Sequence, residues 1–267
     1  MTQSALLNVM TAAAIKAGKG LLRDFGEVDQ LQISRKGVSN FVTKTDLRTE
    51  KLLQRELSVA RPDFGFLLEE GGEVPGKDPV YRWVIDPLDG TSNFIHAISY
   101  FCISIALEKK TGEARQSVAG VIYDPIHNEL FTAERGKGAF MNGRKLAVST
   151  RDNPEDAMLV TGNPKPALKD DAQALALFKS VSAFESTLRY FGATALDLAH
   201  LAAGRIDACW YYTMQPWDVA AGLLLVEEAG GQCFDLQGAP AHSYSKNLVA
   251  ANRHLMPPLQ RLLGPVA

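Results

Sequence analysis

Strand-like and helix-like signals are spread unevenly along this chain, and that unevenness limits the fold more than any other feature. From Phe64 onward come short runs rich in β-branched and aromatic residues: Phe64 to Leu68, Trp83 to Ile85, Phe101 to Leu107, Ala119 to Tyr123 and Leu130 to Thr132. Gly, Pro or charge clusters part them, as expected of consecutive strands. Gly136-Lys137-Gly138 and Asn142-Gly143 add tight turns, so a meander is expected there. After about Asn153 the rhythm changes to alternation. Strand-like Leu159 to Thr161 precedes a helix over Ala167 to Val181, and a strand near Leu188 to Phe191 precedes a helix over Ala193 to Ala203, closed by Gly204. Asp207 to Tyr212 reads as strand and Val219 to Ala229 as helix, ended by Gly230-Gly231; Cys233-Phe234 and Leu248 to Ala250 read as short strands. Such alternation indicates an α/β layer.

Two helices are expected ahead of the meander. Leu6, Met10, Ala14, Ala17 and Leu21 form one helical stripe, so Ser4 to Phe25 reads as a helix that stops at Gly26. A second runs from Thr45-Asp46 to about Ala60, where Arg61-Pro62-Asp63 ends it. Between them, Ser34 to Asn40 reads as a loop or hairpin turn. The whole suggests helices and sheets in alternate layers, one domain over 1–267 with a soft lobe boundary near residue 150.

Composition narrows the function classes. The 267 residues are 46% hydrophobic and 22% charged, with a formal net charge of -2 and no long run of one sign. A chain that binds nucleic acid by neutralising phosphates shows a basic patch or stripe, and none is visible in the linear sequence. Cys102, Cys209 and Cys233 are odd in number and widely spaced, which argues against a disulfide framework or structural zinc. No apolar run approaches a membrane span, and Met1 to Lys16 lacks the basic-then-apolar pattern of a signal peptide, so a cytoplasmic protein is expected.

The segment richest in chemistry is Trp83-Val84-Ile85-Asp86-Pro87-Leu88-Asp89-Gly90-Thr91-Ser92-Asn93-Phe94. An apolar strand runs into two carboxylates three positions apart, with Pro87 restricting the backbone between them. Carboxylates that converge repel each other unless a proton or cation lies between them. Oxygen-only ligands favour a hard cation, Mg²⁺ above all. Gly90-Thr91-Ser92 follows with free backbone N–H groups, which form an anion site if a helix begins there. Two further acidic features fit: Glu69-Glu70 after an apolar run, and Asp218 at the head of an apolar helix. Taken singly, Asp218 reads first as a helix N-cap and Glu69-Glu70 as a solvated turn, while Asp86 to Thr91 reads equally as a capped turn.

Taken together, these residues resemble the signature of the inositol monophosphatase family, most of all in its bacterial members. Trp83 to Phe94 matches one family motif; Trp217-Asp218-Val219-Ala220-Ala221-Gly222, followed by Glu228-Ala229-Gly230-Gly231, matches another in the same order and at about the same separation. Glu69-Glu70 and Val42-Thr43-Lys44-Thr45-Asp46 match as well, so the resemblance spans nearly the whole chain. It implies an αβαβα five-layer sandwich, usually a homodimer, acting as a Mg²⁺-dependent, Li⁺-sensitive phosphatase with two or three Mg²⁺ per site. On the same ground, Glu69, Asp86 and the carbonyl of Leu88 would hold one Mg²⁺, and Asp86, Asp89 and Asp218 a second, with Glu69 aiding a weaker third. Asp46 and Thr91 would orient and deprotonate the attacking water. Gly90, Thr91 and Ser92 would cradle the phosphate. The lobe over 1–150 would carry metal and phosphate, and that over 151–267 would bring Asp218. His96, His127, His200, His242 and His254 have no ligand spacing and read as structural.

The chain departs from the family where the polyol would bind. Relatives carry Gly-Ser/Thr-Ala-Ala where this chain has Gly192-Ala193-Thr194-Ala195, and a family Glu that contacts the polyol falls on Tyr211. Inositol 1-phosphate is the expected substrate, with weakened selectivity. Fructose 1,6-bisphosphate, histidinol phosphate and NADP are alternatives within the fold. A role as a protein partner of the bacterial transcription machinery, which some bacterial relatives have, is the alternative of a different class.

Overall fold

The computed structural model describes residues 4–27, 33–36, 40–162, 172–182, 184 and 186–263. Helix α1 (Ala5–Phe25) and the hairpin of β1 (Ile33–Lys36) and β2 (Asn40–Thr43) lead into α2 (Lys44–Ala60). Strands β3 (Gly65–Leu68), β4 (Gly72–Val74) and β5 (Tyr81–Asp89) follow, then the short α3 (Thr91–Ile95). The meander is β6 (Cys102–Thr111), β7 (Ala114–Asp124), β8 (Glu129–Glu134), β9 (Gly138–Met141) and β10 (Arg144–Lys145). The alternating part holds β11 (Met158–Thr161), α4 (Ala172–Ser182), β12 (Thr187–Arg189), α5 (Thr194–Ala202), β13 (Ala208–Tyr211) and α6 (Pro216–Glu228). It ends in β14 (Gln232–Phe234), β15 (Leu248–Ala251) and α7 (Met256–Leu263), a helix the sequence reading lacked.

Among the described residues, the strands outside the hairpin form two sheets. The larger has eight strands in the order β10-β9-β8-β7-β6-β5-β3-β4, and the smaller has five in the order β12-β11-β13-β15-β14. The meander strands read as continuous apolar runs because both faces of the large sheet are covered. Trp83, Ile85, Ile103, Ile105 and Val121 face α1 and α2. Val84, Ala106 and Ile122, which alternate with them, face α5 and α6. The other side of that helical layer meets the small sheet through Val160, Cys209 and Ala250. The outer face of the small sheet packs Leu159, Trp210 and Val249 against Leu259 and Leu263 of α7 and Val181 of α4. Five layers, helix–sheet–helix–sheet–helix, result, as the resemblance implied.

By length and composition alone α1 could cross a membrane, contrary to the sequence reading. Its apolar stripe instead lies in the core: Met10, Ala14 and Leu21 are fully buried, while Lys16, Lys19 and Arg23 face outward. Ser4 caps it, its hydroxyl accepting the Leu7 N–H at 3.2 Å.

Three details place the site. Strand β5 is longer than expected: its ladder with β6 continues past Ile85 to Asp89 through a register shift between Asp86 and Asp89. Pro87, lacking an N–H, lies inside that shift, and such bulges re-aim side chains. Helix α6 begins earlier than expected, at Pro216 behind the N-cap Gln215, so Asp218 is its third residue rather than its cap. Gly222 lets α6 lie against α5, since a Cβ there would come within 2.6 Å of the Leu198 side chain.

Candidate active site

The carboxylates expected to work together come from three elements. Asp86 and Asp89 lie at the C-terminal end of β5, and Glu69 follows β3, whose backbone runs parallel to β5. The Glu69 N–H donates to the Ile85 carbonyl at 3.3 Å. Asp218 enters from the first turn of α6, where its carboxylate reaches back to accept the Gln215 N–H at 2.9 Å in a capping box. Asp218 is thus not the N-cap but the N3 partner of Gln215 in the capping box, and its charge still reaches the other acids.

Charge repulsion shows the convergence. Burial, then the charge of Asp218, raises Glu69 to about 8. Burial, then Glu69 and Asp89, holds Asp86 well above the carboxylate range. Burial, then Asp218, does the same to Asp89, and burial raises Asp218 to about 6. Glu69 and Asp86 lie within hydrogen-bonding reach of each other, which needs a proton or cation between them. Asp86 is almost fully buried, whereas Glu69, Asp89 and Asp218 keep some contact with solvent. Among the described residues, no three of these groups close to the spacing of a ready-made metal site. The donor set itself, oxygen-only and carrying up to four charges in a poorly solvated place, fits a hard divalent cation.

The surrounding residues are ordered by local bonds. Asp86 Oδ1 accepts the Leu88 N–H at 2.9 Å, and the Leu88 carbonyl accepts the Thr91 hydroxyl at 3.0 Å. Gly90, at φ 94°, is the N-cap of α3; a Cβ on it would lie 2.9 Å from the Tyr100 carbonyl. Ser92 is exposed beside it. Asp46, buried in the first turn of α2, adds to the field that raises Glu69. Ala193 is the buried N-cap of α5, and Thr194 is its partly exposed first residue. Of the segment Ser34 to Asn40, read as a loop or hairpin turn, residues 37–39 lie outside the described residues.

Tyr211 is the expected site residue that the structure moves. It is 2% exposed, belongs to the core between α5, α6 and the small sheet, and donates its hydroxyl to Asp197 Oδ2 at 2.9 Å. The hydroxyl expected at the polyol is thus taken up by a buried acceptor.

Sequence reasoning missed Asn93, Tyr100 and Asp197. Asn93 Nδ2 donates to the carbonyls of Tyr100 at 2.8 Å and Phe191 at 2.7 Å, stitching the loop after β5 to the start of α5. Asp197 is 1% exposed and accepts the Tyr100 hydroxyl at 2.6 Å as well as that of Tyr211. The signal for it was present, since a lone acid inside the apolar stretch Ala195 to Leu201 needs a buried partner.

A layered α/β sandwich thus gathers four buried or half-buried acids at strand and helix ends, beside a Gly-Thr-Ser turn. Comparison with known proteins gives the family. Residues 2–263 match the inositol monophosphatase family, and the chain belongs to it. An inositol-1-monophosphatase from Mesorhizobium japonicum is 48% identical over 252 residues, covering 94% of this chain and 93% of the relative. The Nus factor SuhB of Escherichia coli K12 is 40% identical over 247 residues, covering 92% of this chain and 91% of the relative. The crystal structure of the extragenic suppressor protein SuhB from Bartonella henselae matches with a TM-score of 0.92 at 48% identity, over 99% of this chain and 100% of that one. The chain is a phosphatase, a phosphoric monoester hydrolase, of a family that is generally metal-dependent.

Proposed function

We propose that this phosphatase hydrolyses inositol 1-phosphate to inositol and phosphate with Mg²⁺, accepting other small phosphate monoesters as well. The observation that carries the reading is the placement of the acids: Glu69 after β3, Asp86 and Asp89 at the adjoining end of β5, and Asp218 in the first turn of α6, where burial and neighbouring charge push Glu69, Asp86 and Asp89 up. Glu69, Asp86 and the Leu88 carbonyl would hold one cation, Asp86, Asp89 and Asp218 a second, and Glu69 would aid a third. When bound, Mg²⁺ supplies charge neutralisation and Lewis acidity toward water and phosphate oxygens.

The chain's own residues do the rest. Asp46 takes the proton of the attacking water, and Thr91 orients that water toward phosphorus. The N–H groups of Gly90, Thr91 and Ser92 hold the phosphate oxygens. As the new P–O bond forms, the ester P–O bond breaks; the hydroxyl left from water stays on phosphorus, and the proton that Asp46 took passes through water to the polyol oxygen, which leaves as the free hydroxyl. Ala193 and Thr194 flank the polyol. With residue 211 withdrawn into the core, no carboxylate at that position accepts the vicinal hydroxyls, so selectivity for inositol is loose. The three buried free cysteines suit a reducing, cytoplasmic setting, and the family resemblance supports a homodimer.

The test is kcat/KM with Mg²⁺ against inositol 1-phosphate, glycerol 2-phosphate, fructose 1,6-bisphosphate, histidinol phosphate and NADP. Full activity in excess EDTA would refute the metal assignment. A second reading, as a partner of the transcription machinery, draws on the likeness to a protein named Nus factor SuhB. Absence of turnover on every substrate, with binding to RNA polymerase, would favour it.

A further inference from the structure

A buried polar cluster lies one shell beneath the carboxylates, and the catalytic reading leaves it unused. Asp197 sits inside α5 among Leu196, Leu198 and Leu201, where a carboxylate has no water. Two phenols come to it from separate elements: Tyr100, before β6, at 2.6 Å and Tyr211, at the end of β13, at 2.9 Å. Phenol-to-carboxylate bonds are charge-assisted and short, and burial strengthens them. Two residues earlier in the same helical turn, the Ala195 N–H donates to Asp89 Oδ2 at 2.6 Å. The Cys102 thiol, at 3.9 Å, also approaches that oxygen. Neither touches Asp89 Oδ1.

The segment is fixed from a second side. Asn93 bonds the main-chain carbonyls of both Tyr100 and Phe191, so Tyr100 is held at its backbone by the Gly90 loop and at its hydroxyl by α5. Gly192, at φ 85°, brings the chain against Asn93, where a Cβ would stand 3.3 Å from Nδ2. An unfixed α5 could turn about its own start and carry the Ala195 N–H away from Asp89, because Ala193 caps it without a side-chain bond.

We propose that Asp197 is a positioning residue of this phosphatase: by accepting the Tyr100 and Tyr211 hydroxyls it fixes the first turn of α5, so that the Ala195 N–H holds one oxygen of Asp89 and leaves the other to a cation. This rests on the proposed metal role of Asp89. It also gives Tyr211 a task in place of the substrate contact the sequence suggested. Asp197 touches neither substrate nor cation; it acts through backbone.

The experiment compares wild type with Asp197→Asn, Tyr100→Phe and Tyr211→Phe. Mg²⁺ binding to metal-stripped protein is followed by calorimetry, turnover of inositol 1-phosphate is followed across Mg²⁺ concentration, and amide exchange is followed over 193–198. The amide oxygen of Asn accepts more weakly than a carboxylate and does not serve two phenols equally. Asp197→Asn should therefore bind Mg²⁺ roughly tenfold more weakly, with kcat recovered at saturating Mg²⁺ and KM for substrate within about twofold of wild type. Each Tyr→Phe variant removes one bond without altering charge and should give a part of the same shift. Exchange at Ala195 should quicken in all three. A merely structural role would lower the melting temperature and active fraction but leave Mg²⁺ affinity unchanged, and that result would overturn the proposal. Should Asp197→Asn fail to fold, unchanged Mg²⁺ affinity in both Phe variants is the overturning result. Wild type that binds no Mg²⁺ would instead overturn the metal reading itself.

Discussion

Asp89 on β5 is held at Oδ2 by the backbone N–H of Ala195, 2.6 Å away and 106 residues later in the chain. That bond joins the meander to the alternating α/β part at the point where the acidic residues meet. The α5 backbone fixes Asp89 and α6 carries Asp218, so these two helices bring the acids of β5 and α6 together.

Asp86→Asn should lower kcat/KM by at least a hundredfold, because the lost carboxylate is the one shared by both proposed cations. The same substitution should raise the thermal midpoint of the metal-free protein. It removes a buried acid crowded against Glu69 and Asp89, and such functional crowding costs stability. Activity assays and calorimetry on one preparation check both. Retained activity would show that Asp86 holds no essential cation.

Li⁺ should inhibit at millimolar concentration, by replacing a Mg²⁺ needed late in turnover, on the strength of the family resemblance. Steady-state rates at fixed Mg²⁺ and rising Li⁺ read this directly. Turnover that is indifferent to high Li⁺ would show that the second cation site differs in this chain.

Gly90→Ala should lose both stability and activity. A Cβ at φ 94° is strained, and it would stand 2.9 Å from the Tyr100 carbonyl and 3.2 Å from Ala193 Cβ. The expected loss is about 1–3 kcal/mol in urea unfolding, with a fall in kcat as the N–H groups of Thr91 and Ser92 shift. A variant with wild-type midpoint and rate would mean the turn relaxes freely.

What the sequence made legible was local. The Ser4-capped helix, the meander and the acidic strand end could be read because apolar period, caps and Pro–Gly punctuation are short-range signals. The bulge that extends β5 to Asp89 was read as a plain turn, since a ladder continuing past Pro87 depends on the partner strand β6. The resemblance puts a family Glu position on Tyr211, which gives position along the chain but not the side on which the phenol finds an acceptor. That acceptor, Asp197, is 14 residues away in sequence and belongs to another element.

Two buried groups should pull stability in opposite directions over one pH window. Burial, then the Arg205 charge, lowers His200 to about 4, so its ring is neutral despite standing 3.9 Å from Glu129. Below about 6.5 the unfolded chain takes a proton that folded His200 refuses, and stability is lost as pH falls toward 4. Burial raises Asp197 to about 7. Its contribution is complete below about 4 and is lost as pH rises to 7. Each is worth on the order of 3 kcal/mol by linkage, and in wild type they largely offset. His200→Phe should therefore lose stability from pH 4.5 to 7 more steeply than wild type, and Asp197→Asn less steeply, while the raised acids Glu69 and Asp218 add the same loss to all three proteins. Urea midpoints in metal-free buffer measure the slopes. Identical slopes in all three proteins would show that neither group titrates as its surroundings require.

Tyr211→Glu separates the two accounts of substrate choice. If residue 211 reached the polyol, a carboxylate there would accept vicinal hydroxyls through charge-assisted bonds and restore inositol selectivity. In the structure the new carboxylate would instead enter a 2%-exposed site facing Asp197. Two buried carboxylates cannot both ionise there, and the phenol's donated bond would be gone. The expected result is a loss of about 2–4 kcal/mol in stability, with the kcat/KM ratio of inositol 1-phosphate to glycerol 2-phosphate within about threefold of wild type. Tyr211→Phe, which keeps the ring in the core, should leave that ratio unchanged. A stably folded Tyr211→Glu whose ratio rises tenfold or more would mean that residue 211 touches the substrate after all, and Thr194 would then no longer be the residue that flanks the polyol on that side.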